Sequence, residues 1–121
     1  MYSIMLKSKL HRARVTQANL DYEGSLTIDR DLMDAVQILP YEKVLVSNLA
    51  NGQRFETYAI PGPTGSGVIC LNGPTAHLGA VGDRLVILTF SPVPTSEARR
   101  QRPMILALDE HNQPLGPLQE T

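Results

Sequence analysis

Short apolar runs separated by glycine and proline fill most of this 121-residue chain, a pattern that predicts many short strands and few long helices. Ile4 to Val15 alternates so that Lys7, Lys9 and His11 share one face and Leu6 and Leu10 the other, as in a strand with a cationic outer surface. Leu26, Thr27 and Ile28 are strand formers directly behind a Gly24-Ser25 turn signal. Val44–Val46 and Arg54–Ile60 flank Asn51-Gly52, a strong hairpin signal, with Arg54, Glu56 and Tyr58 on one face and Phe55 and Thr57 on the other. The stretch PGPTGSG (61–67) reads as a mobile loop before Val68–Leu71, which Asn72-Gly73-Pro74 ends. Gly82-Asp83 leads into a strand over Arg84–Phe90, and Met104–Leu108 supplies the last.

One segment departs from this pattern. From Asp29 to Leu39 the apolar positions Leu32, Val36 and Leu39 recur at helical spacing, Asp29 or Asp31 can cap the start, and Pro40 follows the end. The residues by themselves therefore predict a mainly β fold: a single compact β-barrel domain over residues 1–121 with one or two short helices. Residues 110–121, with Pro114, Gly116 and Pro117, are expected to form a partly flexible tail.

Composition narrows the functional classes. With 42% hydrophobic residues and 19% charged, the chain suits one globular core. A net charge of −1 argues against a nucleic-acid partner, although Lys7, Lys9, Arg12 and Arg14 are clustered. The one cysteine, Cys70, can form no internal disulfide, so a cytoplasmic setting is the expectation. The N-terminus MYSIMLKSKLHR is broken by Ser3, Lys7 and Lys9 and lacks a signal-peptide core. No stretch nears the roughly 18 apolar residues of a membrane span. His11, His77 and His111 are too scattered for metal-ligand spacing, so no metal is expected. Spacing alone leaves Lys9, Arg54 and Tyr58 as ordinary surface residues and Asn72-Gly73 as an ordinary turn.

In combination the motifs carry more. YEGS (22–25), NGQRFETYAI (51–60), and NG followed by AH (72–77) resemble, in order and spacing, the pyruvoyl-dependent aspartate 1-decarboxylase family, from about Met5 to Phe90. The resemblance implies a six-stranded double-psi β-barrel, assembled as a homotetramer with active sites at subunit boundaries. It also implies self-cleavage between Gly24 and Ser25 into a β chain of 1–24 and an α chain of 25–121. Ser25 would become a pyruvoyl group, replacing pyridoxal phosphate, whose ketone forms a Schiff base with L-aspartate on the way to β-alanine and carbon dioxide, for pantothenate and coenzyme A biosynthesis.

Roles then follow position by position, as the resemblance implies them. Gly24 and Ser25 are the cleavage site, and Thr57 and Asn72 are the candidate donors for the oxyanion formed in processing, Thr57 being the one the resemblance most implicates. Tyr58 is the proton donor, Lys9 adds positive charge, and Arg54 clamps a substrate carboxylate. His11, Tyr22, Thr57, Asn72, Gly73, Pro74 and Thr75 line the substrate site. Position 74 is proline where the family usually has a small alanine-like residue; lacking an N–H, it would leave any backbone contact there to Gly73 or Thr75. Some members of the family are assisted by an acetyltransferase-like maturation factor. Two other readings stay open: a barrel serving as a binding module through KLHRAR, and a serine hydrolase using Ser25.

Overall fold

The computed structural model describes residues 1–119. Eight strands form one sheet: β1 (Tyr2–Arg14), β2 (Gln17–Asn19), β3 (Ser25–Asp29), β4 (Lys43–Asn48), β5 (Arg54–Gly62), β6 (Ile69–Asn72), β7 (Arg84–Pro94) and β8 (Met104–Ala107), with helix α1 (Arg30–Ala35) after β3. Their order is β2-β6-β3-β5-β4-β7-β1-β8. The six inner strands match the expected count, and short β2 and β8 are added at the ends. All three residues of β2 are exposed, so no alternation marked it in the sequence. One apolar core, including Leu10, Leu26, Ile28, Val44, Val46, Ile69, Leu71, Leu85 and Ile87, lies on the inner face.

Three expected elements differ in extent. Strand β7 continues past Phe90 to Pro94, because β1 pairs along it as far as Tyr2↔Pro94. On its other side β4 pairs only Leu85–Leu88, so Pro92 and Pro94 withhold no N–H from that neighbour. Helix α1 stops at Ala35 instead of Leu39. Gln37 takes a left-handed φ of 57°, and Gln37 N–H and Ile38 N–H donate to the carbonyls of Asp34 and Met33, closing the helix in a Schellman motif. Leu39 is therefore exposed, whereas Leu32 and Val36 enter the core. The Asn51-Gly52 hairpin has a longer loop than a two-residue turn, and only Gly52 has positive φ.

Two segments expected to be mobile are tied down. The carboxylate of Asp29, which caps α1 through Asp31 N–H at 2.9 Å, also accepts from Gly65 N–H at 3.0 Å and Gly67 N–H at 2.8 Å, holding the PGPTGSG loop. In the tail, buried Asn112 bonds both backbone groups of Arg14 and the carbonyl of Gly67, and Gln119 N–H donates to Ile105. Residues 110–119 thus lie on the barrel; 120–121 fall outside the described residues. Nearby, the Asp109 carboxylate is held below its ordinary pKa by N–H donors from Gln113 and His111. An Asp29→Ala chain orphans three N–H groups at once, so it should lose about 3 kcal/mol of stability, a drop in Tm of about 10 °C by calorimetry.

Candidate active site

The YEGS turn ends where β3 begins, and β3 is fixed on both sides. It runs antiparallel to β6, with Ser25 opposite Asn72 and Thr27 opposite Cys70, and parallel to β5, with Leu26 opposite Ala59. Leu26 and Ile28 face the core, so Ser25 and Thr27 project from the other face together with Asn72 and Cys70. Ser25 is nevertheless fully buried.

Its hydroxyl is held by two groups. Asn72 Nδ2 donates to Ser25 Oγ at 2.9 Å, and Ser25 Oγ–H is directed at the carbonyl of Glu23, a long contact at 3.5 Å. Asn72 Nδ2 also donates to Thr27 Oγ1 at 2.8 Å, and the thiol of Cys70 donates to Asn72 Oδ1 at 3.2 Å. Burial pushes the Cys70 thiol pKa up, which keeps its proton in place as a donor. Thr75 Oγ1–H lies 2.8 Å from the Asn72 carbonyl and 3.4 Å from that of Ser25.

The floor of the turn is the short 3-10 helix Gly73–His77, with Pro74 in its first turn. Gly73 has φ +61°, and its backbone passes directly beneath Tyr22 and Gly24. The Pro74 ring packs against Gly24, where a β-carbon on Gly24 would sit 3.3 Å from Pro74 Cδ. Glycine at 24 and 73 thus lets two backbone segments approach closely. Tyr22, two residues before Gly24, is exposed.

The remaining sequence-derived residues lie on β5, the neighbour of β3, and on β1. Tyr58 precedes Ala59 on β5 as Ser25 precedes Leu26 on β3; Thr57 comes one residue earlier on β5, and Gly24 lies just ahead of β3. Tyr58 stacks at 6.2 Å on Tyr41. Thr57 pairs with Val44, on the core side of β5, and makes no side-chain hydrogen bond among the described residues. Lys9, Leu88, Leu45 and Glu56 form one cross-strand row of the outward face, and His11, Val86, Ser47 and Arg54 form the next. A groove of about 480 Å³ lined by Ile4, Lys43, Leu45, Glu56, Phe90, Ser91 and Pro92 opens on this face.

Strand β1 is four positions from β3 in the sheet order, about 19 Å along the surface at ordinary strand spacing. One chain therefore gathers Tyr22, Gly24, Ser25, Asn72, Gly73, Pro74 and Thr75 but leaves Lys9 and His11 four strands away, while Arg54 stands four residues before Tyr58 on β5, the strand next to β3. Burial, then the neighbouring Lys9, Arg12 and Arg84, hold the His11 pKa below its ordinary value, so the ring is neutral at pH 7. Its Nδ1 and the Ser47 hydroxyl are buried without a hydrogen-bond partner among the described residues. Thr27 and Cys70 escaped the reading of the sequence. The period-2 spacing of Ser25 with Thr27 and of Cys70 with Asn72 was the available signal, but the pairing of β3 with β6 is needed to interpret it.

The chain is similar to known proteins over nearly its whole length. The aspartate decarboxylase family model matches residues 1–115. An aspartate 1-decarboxylase of Syntrophobacter fumaroxidans is 57% identical over 116 residues, covering 96% of this chain and 94% of the relative. One from Heliobacterium modesticaldum is 56% identical over 112 residues (93% and 85%), and one from Thermoanaerobacter pseudethanolicus 50% identical over 116 (96% and 99%). With a family model spanning nearly its whole length and relatives at half identity or better, this chain belongs to the aspartate decarboxylase family.

Proposed function

We propose that the chain is the precursor of a self-processing enzyme that decarboxylates L-aspartate to β-alanine and carbon dioxide, in the cytoplasm, for pantothenate and coenzyme A biosynthesis. The observation that carries the self-processing step is the buried Ser25 hydroxyl, aligned by Asn72 immediately after Gly24 and over the Gly73–Pro74 floor.

In processing, Ser25 Oγ bonds to the Gly24 carbonyl carbon. Its proton passes to the Ser25 nitrogen as the peptide C–N bond breaks, giving an ester. Removal of the Ser25 α-proton then expels the ester oxygen with the Cβ–Oγ electron pair, so Gly24 leaves as a carboxylate. The dehydroalanine left at position 25 takes up one water and releases one ammonia. Glycine at 24 leaves the approach to the carbonyl open, and donors already in place lower the cost of the charge that develops. The group formed at position 25 supplies a ketone able to condense with an amine and to accept electrons as carbon dioxide departs.

The chain's own residues do the rest. Tyr58, which precedes Ala59 as Ser25 precedes Ala59's partner Leu26, carries a phenolic proton suited to delivery at the substrate α-carbon. Arg54 offers a planar, two-point clamp for a carboxylate. Lys9 and neutral His11 lie on the same outward face as Arg54. Strand β1, which carries Lys9 and His11, lies four positions from β3 in the sheet order, which favours a homotetramer in which a second copy completes each site. An Arg54→Lys enzyme should keep its processing but lose roughly 100-fold in kcat/KM for aspartate, mostly through KM, since lysine cannot make the paired contact.

An intact mass spectrum under denaturing conditions tests the proposal. Two chains divided after Gly24, with one water gained and one ammonia lost, together with β-alanine formation from aspartate, are expected. A single unprocessed chain after long warm incubation, with and without cell extract to supply a maturation factor, overturns it.

A further inference from the structure

Among the described residues Asn72 is the one group that donates to the Ser25 hydroxyl, so its amide must present nitrogen, not oxygen, to that side. Serine and threonine hydroxyls cannot enforce this by themselves, because each can donate or accept. Two features of the site break the tie. The Ser25 O–H is directed at the Glu23 carbonyl, leaving its lone pairs for Asn72. On the opposite side of the amide, the Cys70 thiol stands 3.2 Å from Oδ1. The two amide hydrogens are then both used, one on Ser25 and one on Thr27, and Oδ1 receives the thiol.

We infer that Thr27 and Cys70 are positioning residues for self-cleavage, locking the Asn72 amide with its nitrogen toward Ser25. Neither touches the scissile bond; both act through Asn72. Turning the amide over would place Oδ1 against two hydroxyl oxygens and the NH2 against the thiol, and the nucleophile would lose its donor. The register makes the device possible, since Ser25↔Asn72 and Thr27↔Cys70 are successive pairs on one face of β3 and β6. Ser25, Cys70 and Asn72 are buried and Thr27 is half-buried, which limits the competition from water. Burial raises the thiol pKa and so secures the thiol as a donor at neutral pH.

This inference rests on the self-processing reading, and its test separates the two. The full chain is synthesised in a cell-free system, and the cleaved fraction is followed by mass spectrometry for wild type, Cys70→Ala, Cys70→Ser, Thr27→Val and Thr27→Ser. Alanine and serine at 70 leave a similar small cavity, but only serine keeps a donor. Valine and serine at 27 differ in the hydroxyl. Cys70→Ala and Thr27→Val should each slow cleavage about tenfold, the loss expected for one misplaced hydrogen bond. Cys70→Ser and Thr27→Ser should return to within about twofold of wild type, as their hydroxyls can fill the same donor or acceptor place.

A second readout is the exchange rate of the Asn72 side-chain amide hydrogens by NMR in an uncleavable Ser25→Ala chain. It should rise when Cys70→Ala is added and fall back with Cys70→Ser. Cleavage of Cys70→Ala and Thr27→Val at the wild-type rate, or equal slowing by the serine variants, overturns the positioning role alone. A wild-type chain that never cleaves overturns the self-processing reading as well.

Discussion

A Ser25→Ala chain stays in one piece and forms no β-alanine. The substitution removes the oxygen that attacks Gly24, and with it the only ester through which the chain is proposed to open. It also removes the atom whose departure would generate the group at position 25, so processing and turnover fail together. The fold should survive. Ser25 Oγ takes part in two side-chain contacts, one of them long, and Asn72 keeps Thr27 and Cys70 as partners. Because Asn72 Nδ2 is left with one hydrogen bond fewer in a buried place, stability should fall by only about 1 kcal/mol. The expected record is therefore a single unprocessed mass, a Tm a few degrees below that of the parent, and aspartate turnover at background. A cleaved or active Ser25→Ala chain would overturn the assignment of Ser25.

How much of this was legible in the sequence differs between elements. The strands β4, β5 and β6 are bounded by turn residues with strong local rules, and the alternation of Arg54, Glu56 and Tyr58 against Phe55 and Thr57 is the one the sheet displays. Local rules failed where a distant partner decides. Pro92 and Pro94 look like strand breakers until the open side of β7 is known. The loop at 61–67 looks free because the carboxylate that holds it, Asp29, lies more than thirty residues earlier. Leu39 continues a helical repeat, but Gln37 turns the chain first.

The site divides in the same way. YEGS and Asn72-Gly73 are recognisable as motifs, yet only strand pairing makes Asn72 the neighbour of Ser25. That Lys9, His11 and Arg54 share an outward face follows from the cross-strand rows of β1, β7, β4 and β5. Their distance from Ser25 depends on sheet order, on which periodicity is silent.

Gly73→Ala should be the most damaging substitution that leaves every reacting atom in place, and Gly52→Ala is its control. Both glycines have positive φ, +74° at Gly52 and +61° at Gly73. An added β-carbon at Gly52 meets nothing within 4 Å, so that variant isolates the backbone cost. For an L-residue held in the left-handed region this is about 1–2 kcal/mol. At Gly73 the same β-carbon would lie 2.5 Å from the Tyr22 carbonyl oxygen, 2.9 Å from the Gly24 nitrogen and 3.0 Å from the Gly24 α-carbon. These are backbone atoms, with no flexible side chain to swing aside, so the YEGS turn itself has to move. The total loss of stability should be about 3 kcal/mol, the overpacking being added to the backbone cost. The larger effect is on cleavage. Displacing Gly24 by roughly 1 Å from the Ser25 hydroxyl should slow processing on the order of 100-fold. Gly52→Ala, on the far side of the β4–β5 hairpin, should cleave at the parental rate despite its lower Tm. Time courses of chain cleavage, read beside calorimetry for the two variants, separate the approach of two backbones from the conformational demand on glycine. Equal cleavage rates for both variants would mean that the contact beneath Gly24 does not set the geometry of attack.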